Sequence, residues 1–193
     1  MHIVAGSARG MRLVGPGDLV VRPMAARVRT SLFDTLSLVV GGSVVLDCFA
    51  GCGAVGLEAL SRGASSCAFV EMDPRCCKLI EANLAHTRLA DKATVIAGDV
   101  FHSVERLRAL KLRFGLVFVC PPYKILDVEG GWEKMFVFLT TLIGGQLTAP
   151  GALIIVEHRT SHPPADLPSG IAISDRRRYG GTTLTFMETG GHV

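Results

Sequence analysis

The stretch from residue 43 to residue 63 constrains this chain most. Ser43-Val44-Val45-Leu46-Asp47-Cys48 reads as a short buried strand, and Asp47-Cys48-Phe49-Ala50-Gly51-Cys52-Gly53-Ala54-Val55-Gly56 as a glycine loop. Val55 to Leu60 then reads as a helix that Gly63 stops. Glycines at a strand-to-helix turn let backbone approach a ligand and let the helix pack closely on its strand. The same grammar continues. Strands are expected at Cys67–Met72, Ala93–Ala97, Gly115–Cys120 and Ala152–Val156, with helices over Pro74–Thr87, Val100–Leu110 and Trp132–Leu142 between them. Strands alternating with helices imply an α/β fold, a parallel sheet covered on both faces. The end departs from this. Ile171–Ser174 and Thr182–Met187 read as a hairpin that adds an antiparallel strand at the sheet edge, and Ser161 to Pro168 as a proline-rich loop in place of a helix.

Ahead of this sheet, residues 1–42 read as an extension on a main domain of residues 43–193. Apolar runs at 2–5 and 11–14 suggest a small hairpin, and Pro23 opens a helical pattern through Val28, Leu32, Leu36 and Val39, with Phe33 beside them. Gly41-Gly42 closes it. The chain has no internal repeats. With 49% hydrophobic and 19% charged residues in 193, it has enough apolar surface for a full core. No apolar run approaches the roughly 18–20 residues that span a bilayer. The N-terminus lacks a signal-peptide core, which points to the cytoplasm. Six cysteines, at 48, 52, 67, 76, 77 and 120, form no CxxC pair and no zinc-ligand spacing, so they read as free thiols and no metal is expected. Net charge is only +3, but Arg9, Arg12, Arg22, Arg27 and Arg29 crowd the first 35 residues, and Arg176-Arg177-Arg178 form a second knot. A localised basic face suits an anionic polymer.

The acidic residues narrow the ligand. Glu71 ends the second strand, 20 residues after Gly51, where a carboxylate accepts from ribose hydroxyls. Asp47 lies four residues before Gly51, where it would repel a pyrophosphate but attract an ammonium or sulfonium. Asp99, in Gly98-Asp99-Val100, is placed to accept from an adenine amino group, or simply to cap a helix. These features favour S-adenosylmethionine over a nicotinamide dinucleotide. Its candidate binding residues are Asp47, Phe49, Gly51, Gly53, Glu71, Met72, Asp99 and Val100.

Cys120-Pro121-Pro122-Tyr123 follows the fourth strand. Here the chain resembles the amino-group methyltransferases of DNA and RNA, which carry Asp, Asn or Ser, then Pro-Pro, then Tyr or Phe. The resemblance implies that the first side chain and a backbone carbonyl accept the target amine's hydrogens, while the aromatic ring stacks on a flipped base. The leader (Ile3-Val4-Ala5-Gly6, Arg9-Gly10, Leu13, Arg22-Pro23, Arg27-Val28-Arg29, Leu32-Phe33) is similar to that of the RsmD-like family, as are Asp47–Gly51, Gly56–Ala64, Glu71-Met72-Asp73 and Tyr179-Gly180-Gly181-Thr182. These bacterial enzymes methylate the N2 amino group of a guanine in 16S ribosomal RNA. The resemblance, over residues 2–188, implies a Rossmann-like class I methyltransferase sheet, catalytic residues Cys120, Pro121, Pro122 and Tyr123, and phosphate contacts from Arg9, Arg22, Arg27, Arg29, Arg176, Arg177 and Arg178. The substrate is then free 16S rRNA or the small-subunit particle, and a monomer is expected. The chain departs from the family at Cys120, where the family has an acidic residue, and at Met24 and Thr30, where it often has Thr and Glu. Thiol sulfur is a weak acceptor. One amine contact should weaken by about 0.5–1.5 kcal/mol, or more where the family's carboxylate is charged, which costs about tenfold or more in turnover. The competing readings are an amino-group DNA methyltransferase, against which no target-recognition insert is visible, and a cofactor-binding RNA assembly factor silenced at Cys120.

Overall fold

The computed structural model describes residues 1–15, 17 and 23–190. Its centre is a sheet of seven strands in the order β3-β2-β1-β4-β5-β7-β6. The strands are β1 (Val44–Cys48), β2 (Ser66–Glu71), β3 (Ala93–Ala97), β4 (Phe114–Val119), β5 (Thr148–Arg159), β6 (Ile171–Tyr179) and β7 (Thr182–Thr189). The helices are α1 (Ala26–Thr35), α2 (Ala54–Ser61), α3 (Pro74–Thr87), α4 (Val104–Ala109) and α5 (Gly131–Gly144). Strands β1 to β5 pair in parallel, and β7 runs antiparallel to both of its neighbours. The strand order changes direction between β1 and β4, and in open α/β sheets ligands bind at that switch point, beyond the carboxyl ends of the strands.

Two details differ from the expectation. The reversed strand β7 is not at the edge; it is inserted between β5 and β6, because a tight turn at Gly180, with φ of +62°, folds β7 back onto β5. The helix over Val100–Leu110 is broken into a 3-10 turn (Val100–His102) and α4, since Ser103 donates its hydroxyl to the Val100 carbonyl at 2.6 Å. The proline-rich segment between β5 and β6 contains no helix.

Each face of the sheet has its own apolar layer. Val45, Phe69, Leu116, Phe118, Ile155, Leu184 and Phe186 face α1, α2 and α3, and Leu46, Val70, Val117, Ile154 and Met187 face α4 and α5. The leader belongs to the first layer. Ile3, Leu13, Val28, Leu32 and Phe33 share a core with Leu57, Leu60 and Phe118, and the Phe33 and Phe118 ring centroids are 5.7 Å apart. The expected leader hairpin is short: an antiparallel bridge from His2 to Arg12, flanked by the Ile3 N–H donating to the Met11 carbonyl and the Leu13 N–H to the Met1 carbonyl, both at 3.0 Å.

Buried polar groups hold the leader in place. Glu58 on α2 is 0% exposed and accepts from the Val4 and Ala5 N–H groups at 2.8 and 3.1 Å. Ser61 donates its hydroxyl to the Ala5 carbonyl at 2.6 Å and accepts from the Ala8 N–H at 3.0 Å. Asn83 on α3 accepts from the Val14 N–H at 2.7 Å and donates to the carbonyls of Val14 and Cys52. Gly6, at φ +86°, lies so close to α2 that a Cβ would stand 1.8 Å from the Ser61 carbonyl oxygen. Arg29 corrects an expectation here. It is 1% exposed, donates to the His2 carbonyl at 2.8 Å and pairs with Glu58 at 3.7 Å, so it anchors the leader internally and cannot reach a phosphate from solvent.

Candidate active site

The glycine loop between β1 and α2 takes left-handed backbone at Phe49, Gly51 and Gly53, with φ of 59°, 57° and 79°. For Phe49 that conformation costs about 1–2 kcal/mol, and non-glycine residues held this way cluster at ligand sites. Its ring meets Phe101 edge-on at 5.9 Å. Gly56 fits the close-packing role expected of it: a Cβ there would stand 2.3 Å from the Phe69 ring.

Carboxylates brace this loop. Glu71 accepts from the Gly51 N–H at 2.7 Å through one oxygen and from the Asp73 N–H at 2.9 Å through the other. Asp47 accepts from the Gly56 N–H at 2.8 Å. Burial pushes the Asp47 carboxyl up to about 7; the Gly56 hydrogen bond opposes the rise and the Glu71 charge adds to it. Asp99 caps the 3-10 turn by accepting from the Phe101 N–H at 3.0 Å, and its second oxygen lies 3.2 Å from His102 Nδ1.

A groove of about 310 Å³ opens beside the loop, lined by Phe49, Met72, Asp99, Phe101, Ile125 and Lys134 among others. Met72 is 68% exposed at its rim. The Lys134 ammonium sits 4.1 Å from the Phe101 ring centroid. Of the residues singled out from the sequence, Phe49, Met72 and Asp99 line the groove, Gly51, Gly53 and Glu71 shape its loop, and Val100 is buried behind it. Aromatic walls, an apolar rim and polar groups at defined points are what an adenosine-containing ligand requires. Lys134 was missed because the sequence gives no cue that α5 returns to this loop, and Phe101 because the segment after Asp99 read as one continuous helix rather than a 3-10 turn.

The Cys120-Pro121-Pro122-Tyr123 turn leaves the end of β4 next to β1, with the Cys120 N–H 3.4 Å from the Cys48 carbonyl. Pro121 is buried and Pro122 exposed. The Tyr123 hydroxyl lies 2.7 Å from the Thr182 hydroxyl and 3.4 Å from Glu157 Oε1. The Arg159 guanidinium covers one face of the Tyr123 ring at 4.7 Å and is held by Asp127 at 2.7 Å. Glu157, Arg159 and Thr182 were not foreseen. The available signal was position, since Glu157 and Arg159 close β5 at the ligand-binding end of the sheet. Burial and the neighbouring Glu157 push the Cys120 thiol well above its usual range, so it stays protonated.

The basic residues fall into separate groups. Arg9, Arg27, Arg176 and Arg178 are exposed. The triplet on β6 is divided by strand alternation. Arg177 turns toward α1 and the Phe186 ring, paired with Asp175 at 2.8 Å and bonded to Thr35, while Arg176 and Arg178 point to the other face. Tyr179 ties the same strand to α1 through a 2.7 Å contact with the Ser31 hydroxyl. Arg22 lies outside the described residues.

With this geometry in view, relatives are informative. The family model described as conserved hypothetical protein 95 matches residues 1–188. The chain belongs to that family. Among curated family relatives, YlbH of Bacillus subtilis, named as an rRNA methyltransferase, is 27% identical over 99% of this chain and 100% of its own length. Ribosomal RNA small subunit methyltransferase D of Escherichia coli is 38% identical over 64% of this chain and 61% of its own length. The solved structure of the E. coli methyltransferase yhhF superposes with a TM-score of 0.80 at 29% identity, covering 100% of this chain and 99% of that one. The names of these relatives match the RsmD-like resemblance, and the superposition matches the methyltransferase sheet expected from the strand–loop–helix grammar.

Proposed function

We propose that the protein is an S-adenosylmethionine-dependent rRNA methyltransferase, and that its acceptor is the exocyclic N2 amino group of a guanine in 16S rRNA, presented free or in the small-subunit particle. The observation that carries the reading is the adjacency of the loop groove at β1 and the Pro-Pro-Tyr turn at β4. These are neighbouring strands at the switch point of the sheet. The family relatives named as rRNA methyltransferases supply the substrate class.

When bound, the cofactor supplies a methyl group on a cationic sulfur. The residues around the groove fit it. Phe49, Met72 and Phe101 offer apolar contact to adenine, Glu71 adjoins the ribose position, and the Asp47 carboxyl suits an ammonium. The Pro-Pro-Tyr turn fixes the acceptor's position through a rigid backbone. Thr182 holds the Tyr123 hydroxyl, and with Arg159 on one ring face, the opposite face is the one for a flipped base. Arg9, Arg27, Arg176 and Arg178 supply exposed charge for phosphates. The protein acts as a monomer in the cytoplasm. No helix among the described residues is long and apolar enough to cross a membrane.

The test is transfer of labelled methyl to small-subunit particles and to free 16S RNA from a strain lacking this activity, with the product nucleoside identified by mass. N2-methylguanosine is expected. A different methylated nucleoside would replace the base assignment, and cofactor binding with no transfer to either substrate would leave the silenced assembly factor.

A further inference from the structure

The weak point of the site, as chemistry, is position 120. A thiol offers little to an amine that must be oriented and must lose a proton. The fold places a carboxylate there from another strand. Parallel pairing of β4 with β5 sets Val119 opposite Val156, so the next residues, Cys120 and Glu157, are neighbours at the ligand end of the sheet. Burial and the adjacent Glu157 charge both push the Cys120 thiol upward, so it faces that carboxylate as a protonated group. The Tyr123 hydroxyl reaches Glu157 Oε1 at 3.4 Å, and Glu157 itself is half-buried.

Resting on the methyltransferase reading above, we propose that Glu157 is the catalytic acceptor for the target amine, supplying from β5 the carboxylate that the Cys120-Pro121-Pro122-Tyr123 turn lacks. Glu157 accepts one amine N–H and so aims the nitrogen lone pair at the methyl carbon. The new nitrogen–carbon bond forms as the carbon–sulfur bond breaks, with its electron pair leaving on sulfur. The nitrogen, now cationic, sheds one proton to the Glu157 carboxylate, which returns it to water. Cys120 is then a donor that holds Glu157 in place.

The test compares the wild type, Glu157→Gln, Cys120→Asp and the double variant in single-turnover methyl transfer to small-subunit particles. S-adenosylhomocysteine affinity and iodoacetamide alkylation of Cys120, read by peptide mass, are measured alongside. Glu157→Gln should slow transfer by about 100-fold, the scale of a lost acid–base group, with KM and S-adenosylhomocysteine affinity within about threefold of wild type. Cys120→Asp in the Glu157→Gln background should recover at least about tenfold, because the carboxylate is restored one strand away. Removing the Glu157 charge should also speed Cys120 alkylation, because thiolate formation is no longer opposed. Transfer by Glu157→Gln within about threefold of wild type overturns the proposal. So does a loss that the double variant does not recover, or one accompanied by lost S-adenosylhomocysteine binding, since either marks a structural role. Unchanged Cys120 alkylation overturns the pairing on which it rests. A wild-type protein that binds S-adenosylhomocysteine but transfers no methyl overturns the enzyme reading itself, and this proposal with it.

Discussion

Glu58→Ala should be among the most damaging single substitutions in the molecule, although Glu58 lies on α2 outside the groove. The carboxylate is fully buried, accepts from the Val4 and Ala5 N–H groups and from Arg62 Nε at 2.7 Å, and neutralises Arg29, whose side chain is 1% exposed. Two Arg29 nitrogens, Nε and Nη1, have no hydrogen-bond partner, so Glu58 is its main electrostatic compensation. Burial already lowers the Arg29 pKa, which shows the strain on that charge. Stranding a buried charge costs about 3–5 kcal/mol, and each orphaned N–H adds about 1–3 unless the leader moves and rehydrates it. Because the leader ends can move, a total of about 4 kcal/mol is expected, a large share of the roughly 5–15 kcal/mol that holds a domain folded. In a protein of this size that corresponds to a Tm lower by about 8–16 °C. Urea unfolding gives the free energy, and hydrogen exchange should show that the Val4 and Ala5 amides lose protection first. The pair Arg29→Met with Glu58→Gln should recover a good part of the loss, since it removes the stranded charge. A Glu58→Ala change below about 1 kcal/mol would refute the claim that this residue docks the leader.

Other perturbations follow from the same geometry. Gly6→Ala should destabilise by about 3 kcal/mol, from the overlap with the Ser61 carbonyl and the positive φ, and thermal unfolding measures it. Asp47 has a folded pKa of about 7, above its unfolded value, so its protonation stabilises the unliganded protein progressively as pH falls below 7 and that contribution disappears as pH rises through 7. Asp47→Asn, which keeps the Gly56 hydrogen bond, should flatten this dependence in denaturation curves between pH 5 and 8. An ammonium placed at Asp47 favours the ionised form, so S-adenosylhomocysteine should bind more weakly below pH 7 and release a proton on binding there, as calorimetry in buffers of different ionisation enthalpy would show. Met72→Ala should leave stability within about 0.5 kcal/mol, because the side chain is exposed, yet weaken S-adenosylhomocysteine by about three- to tenfold through lost apolar contact.

The sequence carried the αβ alternation clearly, because buried parallel strands are continuous apolar runs and each helix is punctuated. Residues 74–87 and 93–97 fall where periodicity puts them. What it did not carry was pairing. Nothing local says that β7 slips between β5 and β6, or that Glu157 ends up beside Cys120. Arg29 and Arg27 read alike as basic residues. Helical phase separates them: Arg29 shares a stripe with Phe33 and Leu36, both buried, whereas Arg27 faces out. The arginine triplet misled for the converse reason. The strand was expected to stop at Ser174, so its alternation was never applied to Arg176, Arg177 and Arg178. Glu157 was lost in the same way, one residue past the expected end of β5 at Val156.

The link from Tyr123 to Thr182 also sets an order of completion during synthesis. Every residue named in the groove wall has been synthesised once Lys134 is made, so a nascent chain holds all of that wall well before its end. The acceptor turn is different: its tyrosine is fastened by a side chain 59 residues further on, in the last strand of the sheet. A chain still being translated, or one cut short before β7, would carry the whole groove wall beside a turn whose tyrosine hydroxyl lacks its Thr182 partner. The acceptor turn is therefore completed late, when the final strand enters the sheet.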